Sequence, residues 1–141
     1  MKVGISLTSN HPDAKDPRQG ARWMIERAAA AHRAGLDSLF VGDQHISPTP
    51  YYQNTPMLGR LLAEWGEAPA ECLFLLPLWH PVLVAEQIGT LAAIVQGPFI
   101  MHAGSAGERP GSPRWAPASR RVLRLSKRRS TLSGACWREK R

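Results

Sequence analysis

Two short stretches carry side chains whose types and spacing could do chemistry. In Val41-Gly42-Asp43-Gln44-His45 a carboxylate and an imidazole lie two residues apart. Such a pair at a strand end can position a ligand or shuttle a proton. The same residues also fit a plain turn, with Asp43 capping it and His45 bonded to backbone. In Leu75-Leu76-Pro77-Leu78-Trp79-His80-Pro81, two prolines bracket an aromatic residue and a histidine. That is a stiff, apolar lip suited to a planar aromatic cofactor. It equally suits a rigid turn with Trp79 packed on the rim.

The elements that must position these groups follow from periodicity. Val3, Ile5 and Leu7 alternate with small or polar residues, which predicts a strand. Ser9 to Gly20 reads as a loop rich in Asn, Pro, Asp and Gly. Ala21, Met24, Ile25, Ala28 and His32 then keep helical spacing, with Gly35 placed to end the helix. Leu36 to Gly42 predicts a second strand, and Asp43 to Thr55 a loop. Leu58, Leu61, Leu62 and Trp65 mark the face of a second helix. Cys72 to Leu76 predicts a third strand. Pro81 can open a third helix, whose inner stripe is Val84, Ala85, Ile88, Leu91, Ala92 and Val95. Phe99-Ile100-Met101 begins a fourth strand. Strands alternating with crossover-length helices predict a parallel sheet covered by helices. A dinucleotide-binding turn requires GxGxxG after the first strand. Here that turn reads Leu7-Thr8-Ser9-Asn10-His11, which disfavours such a fold.

Composition narrows the function classes. Hydrophobic residues make up 43% and charged residues 21% of 141 positions, an ordinary globular balance. The net charge of +7 belongs to one end. Residues 1–101 hold seven Lys/Arg against nine Asp/Glu, whereas 102–141 hold eleven against two. Cys72 and Cys136 stand far apart with no Cys/His cluster around them, which argues against a zinc site and a disulfide framework. Without a signal-peptide pattern or a membrane-length apolar run, the expectation is a cytoplasmic protein with no membrane contact.

The order and spacing of these stretches resemble the luciferase-like family of flavin- or deazaflavin-dependent oxidoreductases, which are (β/α)8 barrels. The matching segments are Lys2–Leu7, Ala28–His45 and Leu75–Phe99. The last carries Leu-Pro-x-x-His-Pro-Val, Ala85-Glu86-Gln87, Leu91 and Gly97-x-Phe99. The resemblance implies catalytic roles for Asp43 and His45, and FMN or a deazaflavin as cofactor. It implies cofactor contacts from Gln44, Glu71, Cys72, Leu76, Trp79 and His80, and a small organic substrate. Gln44 stands where some members have a histidine base, which suits the deazaflavin branch or another reductase better than light-emitting monooxygenation. Members often carry a non-proline cis peptide in strand three, which here falls near Glu71-Cys72-Leu73. Gly97-Pro98-Phe99 departs from the usual Gly-Arg-Phe. The phosphate-binding groups of the family lie mostly in the later half of the barrel and have no counterpart here.

The fold expected is therefore α/β: a partial (β/α)8 TIM barrel of about four βα units over residues 1–101, followed by an irregular basic tail over 102–141. A barrel needs roughly 200 residues or more, so the chain is expected to be truncated and weakly active or inactive. It would then be prone to aggregation through its open edges and apolar face, unless a homo-oligomer or a complementing half-barrel covers them. The alternative is a non-enzymatic half-barrel whose tail, with Arg120-Arg121, Arg124 and Lys127-Arg128-Arg129, binds nucleic acid or acidic surfaces, with Trp115 or Trp137 stacking on bases. A solvated tail accounts for the same composition more simply, so nucleic acid is not expected as a partner. A gel-shift assay at two salt concentrations separates these readings, and no shift at low salt removes the nucleic-acid one.

The Arg/Pro/Gly/Ala/Ser mixture of the tail is what GC-rich coding DNA yields out of frame. With GC-leaning codons, the DNA of Leu125–Arg141 read from the third base of the Leu125 codon can encode Val-Glu-Ala-Ala-Leu-Asp-Ile-Val-Arg-Arg-Leu-Leu-Ala-Gly-Glu-Thr, an amphipathic helix. From His102 the same frame can encode Cys-Arg-Val-Gly-Gly-Gly, similar to the family's loop after strand four. The tail is thus expected to be a frameshift product or its remnant. Resequencing the coding DNA from codon 95 past the stop tests this: the alternate frame should continue into further βα units, and its failure to do so overturns the idea.

Overall fold

The computed structural model describes residues 1–45, 47 and 49–105. The tail read from the sequence lies almost wholly outside these residues. Four strands, β1 (Gly4–Leu7), β2 (Ser38–Val41), β3 (Ala70–Leu75) and β4 (Phe99–Gly104), form one parallel sheet in the order β1-β2-β3-β4. Each step is made through a helix: α1 (Pro17–Arg33), α2 (Asn54–Trp65) and α3 (Pro81–Ile94). A three-residue 3-10 turn, Leu76–Leu78, precedes α3. Three complete βα units and a fourth strand are thus in place. β4 runs through His102 to Gly104, past the Met101 boundary read from the sequence.

Register decides which side chains meet the helices. Leu7 is level with Val41, Val41 with Cys72, and Cys72 with Met101. Because strand side chains alternate between faces, these residues share the face that α1, α2 and α3 cover. Leu39, Val41, Ala70, Cys72 and Phe74 are fully buried there, against Met24 and Ala28 of α1, Leu58, Leu61 and Trp65 of α2, and Val84 of α3. The other face carries Ser6, Phe40, Glu71, Leu73, Ile100 and His102. Ser6 and Ile100 on it are exposed and the remaining four are half-buried.

The helix boundaries differ from the sequence reading in instructive ways. α1 begins at Pro17, within the stretch read as loop. The Asp16 carboxylate accepts the Arg18 N–H at 2.9 Å, and proline fits the first helical position. Gly20 belongs inside that helix because a side chain there would run into the Tyr52 ring. The helix ends as expected: Gly35 takes φ +73, the Leu36 N–H reaches the Ala31 carbonyl and the Gly35 N–H that of His32. His32, expected on the inner stripe, is exposed, and Ala31 takes the core position. The His32 ring instead lies 6.0 Å from that of Trp65 and over Gly66. On α3, Val84 and Leu91 are buried and Ala85, Ile88 and Val95 half-buried, but Ala92 is exposed.

The turn into β4 presses on the turn into β3. A Cβ on Gly97 would collide with the Glu67 carbonyl group, and the Ala70 N–H bonds the Pro98 carbonyl at 3.0 Å. The obstacle is backbone in the turn that leads into β3, so it cannot yield as a side chain would. Gly97→Ala is expected to destabilise the fold by about 1–3 kcal/mol. Urea unfolding measures this, and an unchanged midpoint would show that the two turns are not locked together.

Candidate functional site

In parallel sheets the loops beyond the strand C-termini carry the chemistry, and here one carboxylate ties the segment after β2 to the one after β3. The Asp43 side chain follows β2 and has no exposed surface. Its Oδ2 accepts two hydrogen bonds at 2.8 Å, one from the backbone N–H of Leu75 at the end of β3 and one from Trp79 Nε1 beyond the 3-10 turn. Its Oδ1 lies 3.0 Å from His45 Nε2, at ion-pair distance but outside hydrogen-bond geometry. Neither of those two atoms has a hydrogen-bond partner among the described residues. The His45 ring rests edge-on against Trp79 at 5.7 Å, and Phe74 meets Trp79 from the core side at 5.5 Å. His45 keeps 26% of its side chain in solvent, so a ligand can reach it.

A second set of groups closes the rim from the β1 side. Tyr51 bridges to Asn10, and Thr49 Oγ1 donates to Asn10 Oδ1 at 2.8 Å. The Tyr51 hydroxyl sits over Gly42, where a Cβ would approach it to 3.2 Å. Burial raises the pKa of this phenol, and the Asp43 charge adds to the effect. Its neighbour is the Ser9 hydroxyl, 2% exposed and without a full hydrogen bond. Asn54, wholly buried at the start of α2, donates from Nδ2 to the Leu73 carbonyl at 2.6 Å and accepts the Thr55 N–H at 2.8 Å.

Of the residues singled out from the sequence, the structure brings Asp43, His45 and Trp79 together and sets others apart. Gln44 is half-buried, and its carbonyl accepts from Gln53 Nε2 at 3.4 Å. His80 is exposed at the N-cap of α3 with no side-chain capping bond. Leu76 is 8% exposed and belongs to the core. Cys72 is corrected outright: its side chain lies on the helix-covered face, in the core, where no ligand on the open face can touch it. Burial, and secondarily the Asp43 charge, push this thiol up to about 12, so it stays protonated. Glu71, one residue away, points to the opposite face and pairs with His102 at 2.8 Å. The cis peptide expected near Glu71-Cys72-Leu73 is also corrected. Among the described residues every peptide is trans, and β3 pairs with β4 in unbroken register from Ala70 to Leu75.

Sequence reasoning missed Ser9, Tyr51, Asn54 and His102. Ser9 could have been found by the strand-end rule already applied to Asp43. The other three act through partners 19 to 41 residues distant, or across adjacent strands, for which no local signal exists.

A family model described as luciferase-like monooxygenase matches residues 1–125. The chain belongs to that family. Solved structures of similar fold include an FMN complex of the oxygenating constituent of 3,6-diketocamphane monooxygenase, encoded on the CAM plasmid of Pseudomonas putida. It aligns with a TM-score of 0.82 at 20% identity, over 99% of this chain and 40% of that one. Monooxygenase RslO1 from Streptomyces bottropensis aligns with a TM-score of 0.83 at 17% identity, over 99% and 44%. EDTA monooxygenase from Chelativorans sp. BNC1 gives 0.73 at 14%, over 97% and 38%. The chain therefore spans about two fifths of the length of these luciferase-like structures. No curated protein sequence matches it. The α/β fold with a parallel four-stranded sheet corresponds to part of the luciferase-like barrel. No described helix is long and apolar enough to cross a membrane.

The bonding around Asp43 makes its removal costly, because two buried donors lose their acceptor together. Asp43→Ala is expected to cost about 3 kcal/mol of stability, and Trp79→Phe, which removes one charge-assisted bond, about 1.5 kcal/mol. Chemical denaturation of both variants checks the order, and a loss below about 0.5 kcal/mol for Asp43→Ala would show the carboxylate is not the tie described.

Proposed function

We propose that this chain supplies the first βα units of a flavin-dependent oxidoreductase, in the monooxygenase line of its family, acting on a small organic substrate. The observation that carries this reading is the buried carboxylate that fixes a reachable imidazole and an indole side by side at the strand-end rim. The FMN held by the 3,6-diketocamphane monooxygenase component supports the choice of cofactor class.

The chain's own residues fit a planar ring system with alternating donors and acceptors. His45 Nε2 is a polar atom near this rim that no described residue satisfies by a hydrogen bond, and Ser9 Oγ has only its contact with the Tyr51 hydroxyl. Trp79 would hold one side of such a ring. Glu71 offers a carboxylate on the open sheet face. A flavin bound there would supply two-electron redox chemistry. His45 is the group that holds or moves a proton at the ring edge or the substrate, because its Nε2 has no hydrogen-bond partner among the described residues and its ring keeps surface in solvent. Asp43 acts through it as a positioning residue: with Oδ2 committed to Leu75 and Trp79, only Oδ1 faces His45. Trp79, backed by Phe74, packs against the His45 ring.

Titration of the 141-residue protein into FMN, followed by flavin fluorescence anisotropy, tests the reading. FMN is expected to bind, and His45→Ala to weaken it about tenfold, the equivalent of one lost polar contact. A parallel titration with a deazaflavin of the F-420 type discriminates the cofactors. Preference for it moves the protein to the deazaflavin branch, and binding of neither overturns the proposal for this chain.

A further inference from the structure

A cavity of about 360 Å³ opens between the loop after β1 and the helix that follows it, lined by Thr8, Asn10, His11, Pro12, Asp13, Trp23 and Arg27. Its size falls within the roughly 300–1,000 Å³ range of small-molecule pockets. Trp23 and Arg27 are four residues apart on α1 and so share a helix face. His11 is 7% exposed and packs its ring edge-on to Trp23 at 5.7 Å and tilted to Tyr52 at 5.9 Å. Burial and the neighbouring Arg27 charge lower the His11 pKa, which keeps the imidazole neutral and leaves Arg27 as the cation of this cavity.

The polar groups of the cavity are unevenly committed. Asn10 Oδ1 accepts from Thr49, which fixes the carboxamide and leaves its N–H groups as donors. The Thr8 hydroxyl is bonded to the Asn10 backbone. Arg27 forms no ion pair with any described residue, and neither does Asp13, so the acid and the base of the cavity stand more than 4.0 Å apart. A guanidinium offers parallel N–H donors that match a carboxylate. An indole beside it favours a flat, apolar body over a compact hydrated ion.

We propose that this cavity binds a small planar organic acid, its carboxylate on Arg27 and its flat body against Trp23. Asp13 sets the orientation by repelling the carboxylate from the loop end. The cavity is distinct from the Asp43–His45–Trp79 cluster, shares no side chain with it and does not depend on the flavin reading. Asn10 links the two regions through Tyr51 and Thr49 of the loop before α2.

Isothermal titration with benzoate and with its neutral counterpart benzyl alcohol, at one ionic strength, tests the proposal. Benzoate is expected to bind with a Kd of about 1 mM or tighter, and benzyl alcohol at least about tenfold more weakly. Arg27 is exposed, so Arg27→Gln should keep the fold, as circular dichroism would show, while raising the benzoate Kd about tenfold. Arg27→Lys should fall between, because an ammonium keeps the charge and loses the fork. No saturable heat up to about 10 mM benzoate, equal affinity for the alcohol, or an unchanged Kd in Arg27→Gln would each overturn it. FMN affinity in Arg27→Gln should stay at the wild-type value, which separates failure of this site from failure of the flavin site.

Discussion

The rim of this protein depends on one oxygen of a buried carboxylate being occupied by two donors. A carboxylate without exposed surface is tolerable only when hydrogen bonds or a charged partner replace its water. Asp43 Oδ2 takes a backbone donor from the end of β3 and an indole donor from beyond the following turn, and Oδ1 is left to His45 at 3.0 Å. The consequence is geometric. The end of β2, the end of β3 and the entry to α3 cannot drift apart without exposing that charge to an apolar surrounding. His45 and Trp79 inherit their relative position from this requirement, and their ring contact at 5.7 Å follows from it.

The sheet itself is one-sided. All-parallel sheets normally have both faces covered, yet the described helices lie on one face, while Phe40, Glu71, Ile100 and His102 line the other. The polar pair in the middle of that face, Glu71 with His102, is flanked by the Phe40 ring, which meets His102 edge-on at 5.4 Å. A face built this way is neither a solvent surface nor a dry core. It mixes apolar rings with a polar pair.

Most of the fold was legible because periodicity is a local property. The stripe Leu58, Leu61, Leu62, Trp65 and the strand Leu39-Phe40-Val41 need no tertiary information to be recognised, and all but the half-buried Phe40 are buried. The errors arose where a distant partner overrides local preference. Gly20 reads as loop until Tyr52 is known to cover it, and Ala92 reads as core until α3 is seen to bury little beyond Val84 and Leu91. At the site, Asp43, His45 and Trp79 were visible as residue types at strand ends. Which oxygen bonds which donor was not, because Asp43 and Trp79 are 36 residues apart. Cys72 was misplaced for a simpler reason: a shift of one residue along a strand changes the face.

The two ends of the sheet are held by different means. At the end where the strands begin, backbone presses on backbone, as Gly97 does against Glu67. At the end where they finish, side chains from separate loops are bonded through Asp43, Asn10 and Asn54. Shape dominates the first end, beside one hydrogen bond donated by the Val3 N–H to Asp37 Oδ2, and chemistry dominates the second. Substitution at the floor is therefore governed mainly by volume. The rim can exchange one donor or acceptor for another, so new ligand preferences can arise there without rebuilding the layers beneath.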